Sequence, residues 1–261
     1  MKRFLVASFV LAASAVAANA ADLAAPIKAR PPAWNWEGVY VGVHSGATWS
    51  STKFSDPYGL SMYGDLVGVP GSLSGAQIGW NRMVAPGWVA GIEADASYVA
   101  SDGSNTCLQF DADFIGSNCR VNTRAMGTVT GRLGVTAGAG DRTLLYAKGG
   151  LAWVRNHVAL QGNNIDRGVA PQDATSLTYN QWGWTVGAGL EQALTPAWSL
   201  KFEYDYLRFA DKDVTTPASV VINPADGSVV SAIARATSTI RQDDGAWTPG
   251  WAGPWRRRPI R

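Results

Sequence analysis

Apolar and polar residues alternate along this chain in a series of separate stretches, most plainly over residues 198–209, W-S-L-K-F-E-Y-D-Y-L-R-F. There Trp198, Leu200, Phe202, Tyr204 and Tyr206 share one face, and Ser199, Lys201, Glu203 and Asp205 share the other. A period of two places successive side chains on opposite faces of a strand, so this stretch predicts one strand with an aromatic side and a charged side. The same reading gives strands over 38–49, 73–81, 88–98, 122–135, 144–154 and 179–191. In the fourth of the series, Val129, Leu133 and Val135 oppose Arg124, Thr128, Thr130 and Arg132. An eighth strand is expected over 232–241, the one remaining candidate after the polar stretch 210–231.

The connections alternate in length. Residues 82–87, 136–143 and 192–197 are short turns, carrying Pro86-Gly87, Gly140-Asp141 and Pro196, whereas 50–72, 99–121, 155–178 and 210–231 are long. Unstructured loops of that size are uncommon in compact soluble domains. Short turns at one end and long loops at the other are the pattern of an outer-membrane barrel. A soluble lipocalin-type barrel also alternates, but with its apolar side chains inside. Three features favour the membrane form: Trp88, Trp153, Trp182 and Trp198 near strand ends, where an aromatic girdle meets lipid; strands of about ten residues; and Gly mixed with charge on one face, which suits a narrow lumen. The expected fold is therefore all-β, an eight-stranded antiparallel up-and-down transmembrane barrel. Its inward polar set is Glu93, Asp95, Arg132, Lys148, Glu191, Lys201, Glu203 and Asp205.

Composition agrees, with 29 Gly, 12 Trp and only 16% charged residues. Residues 1–20 read as a secretory signal: Lys2 and Arg3, an apolar run, then Ala18-Asn19-Ala20. Removing Lys2 and Arg3 from 22 basic residues leaves 20 against 20 acidic ones, which argues against a nucleic-acid partner. Residues 21–37, with Pro26, Pro31 and Pro32, read as a flexible leader; 38–241 as the barrel; and 242–261 as an atypical tail rich in Pro, Trp and Arg.

Several segments in order, W-N-W-E-G-V-Y-V-G-V-H-S-G (34–46), G-A-Q-I-G-W-N (75–81), G-I-E-A-D (91–95), G-R-L-G-V (131–135), Y-A-K-G-G-L-A-W (146–153) and G-W-T-V-G-A-G-L-E (183–191), resemble the small porin-like outer-membrane proteins of rhizobia and related alphaproteobacteria. The resemblance implies an OmpA-like barrel of the outer-membrane immunogenic type, displayed at the cell surface of a Gram-negative bacterium. The partners expected with it are outer-membrane lipid and lipopolysaccharide and the barrel assembly machinery, with the protein a monomer. The ending departs from the family: Pro249, Pro254 and Pro259 cannot donate to a ladder, and Arg256, Arg257 and Arg258 do not suit a lipid face. A frameshift near Asp244 would restore a G-L-[DN]-x-R type of ending. As written, the seventh strand is expected to border an incomplete seam.

Cys107 and Cys119, in an exported chain, are expected to form a disulfide that restrains a surface loop. His44 and His157 show no metal-pair spacing, and neither haem nor any other cofactor is expected, since no Cys-x-x-Cys-His pattern occurs. No Ser-His-acid set can be assembled from the sequence, so catalysis is not expected. The function read from the chain is structural: envelope integrity and surface display by a narrow, polar-filled barrel. A small porin for solutes is the alternative, and ligand or host-factor binding by the long loops is a second.

Overall fold

The computed structural model describes residues 34–55, 66–107, 116–163, 175–216, 219–222, 226–233 and 236–254. The expected signal peptide, most of the leader and the tail beyond Pro254 lie outside these residues. Among the described residues twelve strands follow in order: β1 Gly38–Phe54, β2 Leu66–Ala85, β3 Trp88–Ser101, β4 Gly103–Cys107, β5 Gly116–Ala137, β6 Thr143–Asn163, β7 Thr175–Thr195, β8 Trp198–Phe209, β9 Lys212–Thr216, β10 Ser219–Ile222, β11 Val229–Ile233 and β12 Ala236–Pro254. The eight long ones, β1, β2, β3, β5, β6, β7, β8 and β12, pair in antiparallel order, and β12 returns to β1. Two short strands prolong the wall, β4 beside β5 and β9 beside β12, while β10 and β11 form a separate hairpin.

The ladder fixes the dimensions. From Gly38, successive partners are Asn81, Gly91, Arg132, Lys148, Gly187, Asp205 and Ala246, and Ala246 pairs back to Thr48, ten positions further along β1. Eight strands with that stagger tilt by about 40° and leave an interior just wide enough for side chains to fill. On β3 the lipid-facing set runs from Trp88 through Ile92 to Tyr98, about 25 Å of height at that tilt, which matches the apolar band of an outer-membrane barrel. Among the exposed large apolar residues, Trp80, Trp88, Trp198 and Trp251 lie toward the short-turn end, with Trp49, Tyr98, Trp182 and Trp184 toward the other. The Pro86-Gly87 turn places Gly87 at φ 76°, as the third position of a type II turn requires.

Four expectations are corrected. First, the strands are longer than the membrane needs: β5, at 22 residues, and β6, at 21, run well into the segments expected as loops. The barrel therefore projects beyond the girdle. Second, the final strand is β12, from Ala236 to Pro254, not 232–241, so the assumed barrel boundary at 241 falls inside a strand. Gln242, Asp244, Ala246, Thr248 and Ala252 are buried on the lumen side, while Trp247 and Trp251 point to lipid. The stretch read as strand-breaking thus alternates like the others. Pro249, which has no N–H, sits where the β1 ladder skips between His44–Gly250 and Ala47–Trp247, yet the register resumes unchanged. The ending as written pairs with both β1 and β8, so the seam expected to be incomplete is closed.

Third, the end of the supposed leader is anchored. Trp36 is buried and its indole Nε1 donates to the Asp141 carbonyl at 2.8 Å, while Trp34 N donates to the Gly140 carbonyl at 2.8 Å. Fourth, Arg124 is not in the lumen. The β5–β6 register shifts between Thr123 and Ala125, and this bulge turns Arg124 to the outer wall, where it is exposed.

Candidate functional site

The lumen is filled in layers. At the short-turn end Trp36, Val89, Leu144, Tyr146 and Ala193 form an apolar floor. Above it lies the charged set. Lys201 Nζ contacts both carboxylate oxygens of Glu93 at 3.1 Å and Glu203 Oε2 at 2.7 Å. Lys148 Nζ lies 3.1 Å from Glu203 and 3.0 Å from Asp205, and Arg132 Nη1 is 3.2 Å from Glu191. Asp95 accepts from the Thr128 hydroxyl. All eight polar residues read from the sequence therefore lie within one connected region, contributed by β3, β5, β6, β7 and β8.

Tyrosines and glycines complete this layer, and sequence reasoning did not single them out. Tyr40 Oη donates to Glu93 at 2.6 Å and Tyr146 Oη to Glu203 at 2.7 Å. The Arg132 guanidinium sits between their rings, 4.7 Å and 5.0 Å from the centroids, a double cation–π contact. Each ring lies across its direct cross-strand partner, Tyr40 over Gly79 and Tyr146 over Gly189. A Cβ at Gly79 would fall on the Tyr40 ring, and one at Gly189 would come within 2.5 Å of the Tyr146 phenol. The signal was present as Gly opposite Tyr on inward parity, but it becomes legible only once register pairs the strands.

Above the charges is a chamber of about 30 Å³, lined in part by His44, Gln77, Asp95, Ser97 and Asp205. That is room for a water or two. His44 Nε2 lies 2.7 Å from Ser97 Oγ, and Nδ1 lies 3.1 Å from Gln77 Oε1. This Ser-His-Gln arrangement was not read from the sequence, since the three residues come from different strands.

Further up, the lumen also holds apolar side chains, which the expected polar filling did not include. Leu73, Val99, Met126, Val154, Leu207 and Phe209 form an apolar layer, followed by hydrogen-bonded Thr123, Asn156, Gln181, Gln242 and Asp244. Phe54, Val67, Val69, Val121, Val158 and Ile240 then cap the projecting part. Much of this cap belongs to strand extensions expected as loops. Cys107 and Cys119 join it at disulfide distance, Cα to Cα 5.7 Å, on the paired strands β4 and β5. The pair braces the projecting wall, and Cys119 belongs to a strand rather than to a free loop.

A closed antiparallel wall with an apolar exterior, aromatic girdles and an ion-paired interior defines a transmembrane barrel of the Gram-negative outer membrane. The chain belongs to the family described as outer membrane protein beta-barrel domain, whose model matches residues 8–223. It is 32% identical over 222 residues, 79% of this chain and 86% of the relative, to a 31 kDa outer-membrane immunogenic protein of Brucella melitensis. A 25 kDa outer-membrane immunogenic protein of Brucella abortus is 27% identical over 232 residues, 87% of this chain and 93% of the relative. Among solved structures, the outer membrane protein OprG from Pseudomonas aeruginosa aligns with 83% of this chain and 96% of its own, at 10% identity and a TM-score of 0.41.

Proposed function

We propose that this protein is a closed, non-catalytic structural barrel that contributes to envelope integrity and displays its projecting upper wall and loops at the cell surface. The observation that carries the reading is the sealed lumen. The network of Arg132, Lys148, Lys201, Glu93, Glu191, Glu203 and Asp205 lies across the bore between two apolar layers, beside the small chamber. Opening a solute path would break several buried ion pairs together, each costing about 3–5 kcal/mol when one partner is left alone. The immunogenic naming of the relatives fits a surface-displayed protein. The test is a strain lacking the gene. Loss should raise detergent sensitivity and release periplasmic enzyme, with rescue by the intact chain. An unaltered envelope, or a chain inaccessible to protease on whole cells, contradicts the proposal.

A further inference from the structure

The corrected position of Arg124 leads to a site on the outer wall. The bulge at Thr123–Ala125 puts Arg124 and Ala125 on the same outward face, and Ala125 pairs directly with Arg155. Arg155 in turn pairs with Asn180, and Tyr98 pairs with Ala125 on the other side. One cross-strand row therefore carries two exposed guanidinium groups between an exposed phenol and an exposed amide. The next outward row toward the membrane holds Gly127, Trp153 and Trp182, paired in that order. His157 lies two residues beyond Arg155 on the same face, hydrogen-bonded to Thr178 at 3.0 Å.

Neither arginine has an acidic partner among the described residues, in contrast to the other arginines of the projecting wall. Arg120 is held by Asp102, Arg208 by Asp243 and Arg241 by Asp211. The height is also defined. Trp153 and Trp182 belong to the outer aromatic girdle, where indoles sit at headgroup level, and Arg155 is one pleat repeat, about 7 Å of strand, further out. Two cations without an acidic partner among the described residues, immediately above the exposed Trp182 ring and the half-buried Trp153 ring, match an anionic group carried on acyl chains. Guanidinium groups favour phosphate because they bind it through paired donors.

We infer that Arg124 and Arg155 form a binding site for the phosphorylated headgroup of an outer-leaflet glycolipid, whose acyl chains lie along Tyr98, Trp153 and Trp182. The bulge at this height brings the second arginine outside. The site rests on the outer-membrane placement and is independent of whether the lumen conducts.

The test uses the folded full chain in non-ionic detergent, titrated with diphosphorylated lipid A and with its dephosphorylated form, and read by native mass spectrometry. The phosphorylated lipid should bind at least about tenfold more tightly, from roughly 1 kcal/mol per surface arginine. Arg124→Gln/Arg155→Gln should abolish that preference, Arg124→Lys/Arg155→Lys should keep part of it, and Lys53→Gln, a cation elsewhere on the wall, should leave it intact. Heat-modifiable migration checks that each variant is folded, and the two single Gln variants serve if the double variant is not. No phosphate preference in the wild type overturns the inference. So does an undiminished preference in the Gln variants, or an equal loss in Lys53→Gln, which would mean general surface charge.

Discussion

Replacing Lys201 by Met removes the cation at the centre of the lumen while nearly preserving its length. Lys201 is fully buried and lies closest to two carboxylates, Glu93 at 3.1 Å and Glu203 at 2.7 Å. Without it, the cations nearest Glu93 are Lys148 and Arg132, both at 3.7 Å, beside the Tyr40 hydroxyl, and Glu203 shares Lys148 with Asp205. The expected loss is about 3–5 kcal/mol, the usual result of stranding buried charge. Glu93→Gln should cost less, about 1–3 kcal/mol, because every cation it leaves keeps a carboxylate: Lys201 with Glu203, Lys148 with Asp205, Arg132 with Glu191. The double variant should cost less than the sum, with a coupling of about 0.5–3 kcal/mol. Urea unfolding of the barrel in lipid vesicles, followed by tryptophan fluorescence, measures all three. If Lys201→Met is no more damaging than Glu93→Gln, or the two effects simply add, the network does not hold the lumen as described.

Gly189→Ala should displace the Tyr146 ring and destabilise the barrel by about 1–3 kcal/mol in the same unfolding assay, whereas Gly131→Ala, whose Cβ meets nothing nearby, should be close to neutral. Val129→Arg, on the exposed lipid face between the girdles, should cost about 2–4 kcal/mol in vesicles. Thiol titration of the denatured, unreduced chain should find no free thiol. Reduction should leave heat-modifiable migration of the folded barrel unchanged, because Cys107 and Cys119 brace only the wall beyond the girdle.

The membrane-embedded section was legible in the sequence because strand parity and bilayer thickness act there together. On β3 and β8, lipid demands unbroken apolar outward residues while the lumen tolerates charge, so the two faces separate cleanly. Beyond the girdle that contrast fades. Val67, Val69 and Val158 turn inward while Lys53 and Arg120 face water, the ordinary soluble arrangement, and the lipid-facing pattern used to find strands is absent. Arg124 was misplaced for a related reason: parity carries through a strand only until a bulge resets it, and a bulge has no residue signature here. The closing strand was missed because Pro249 and the Gly residues obscure the alternation of Trp247 and Trp251. Pairing on both sides, with β1 and β8, overrides that local preference. The inward charges could be named in advance, but their pairing could not, because a stagger of ten sets which strands meet across the bore.

The central claim is that this bore is shut by its own side chains. Planar-bilayer recording of the folded barrel tests it most directly: the account predicts no stable unitary conductance, and reproducible channels of uniform size would contradict it.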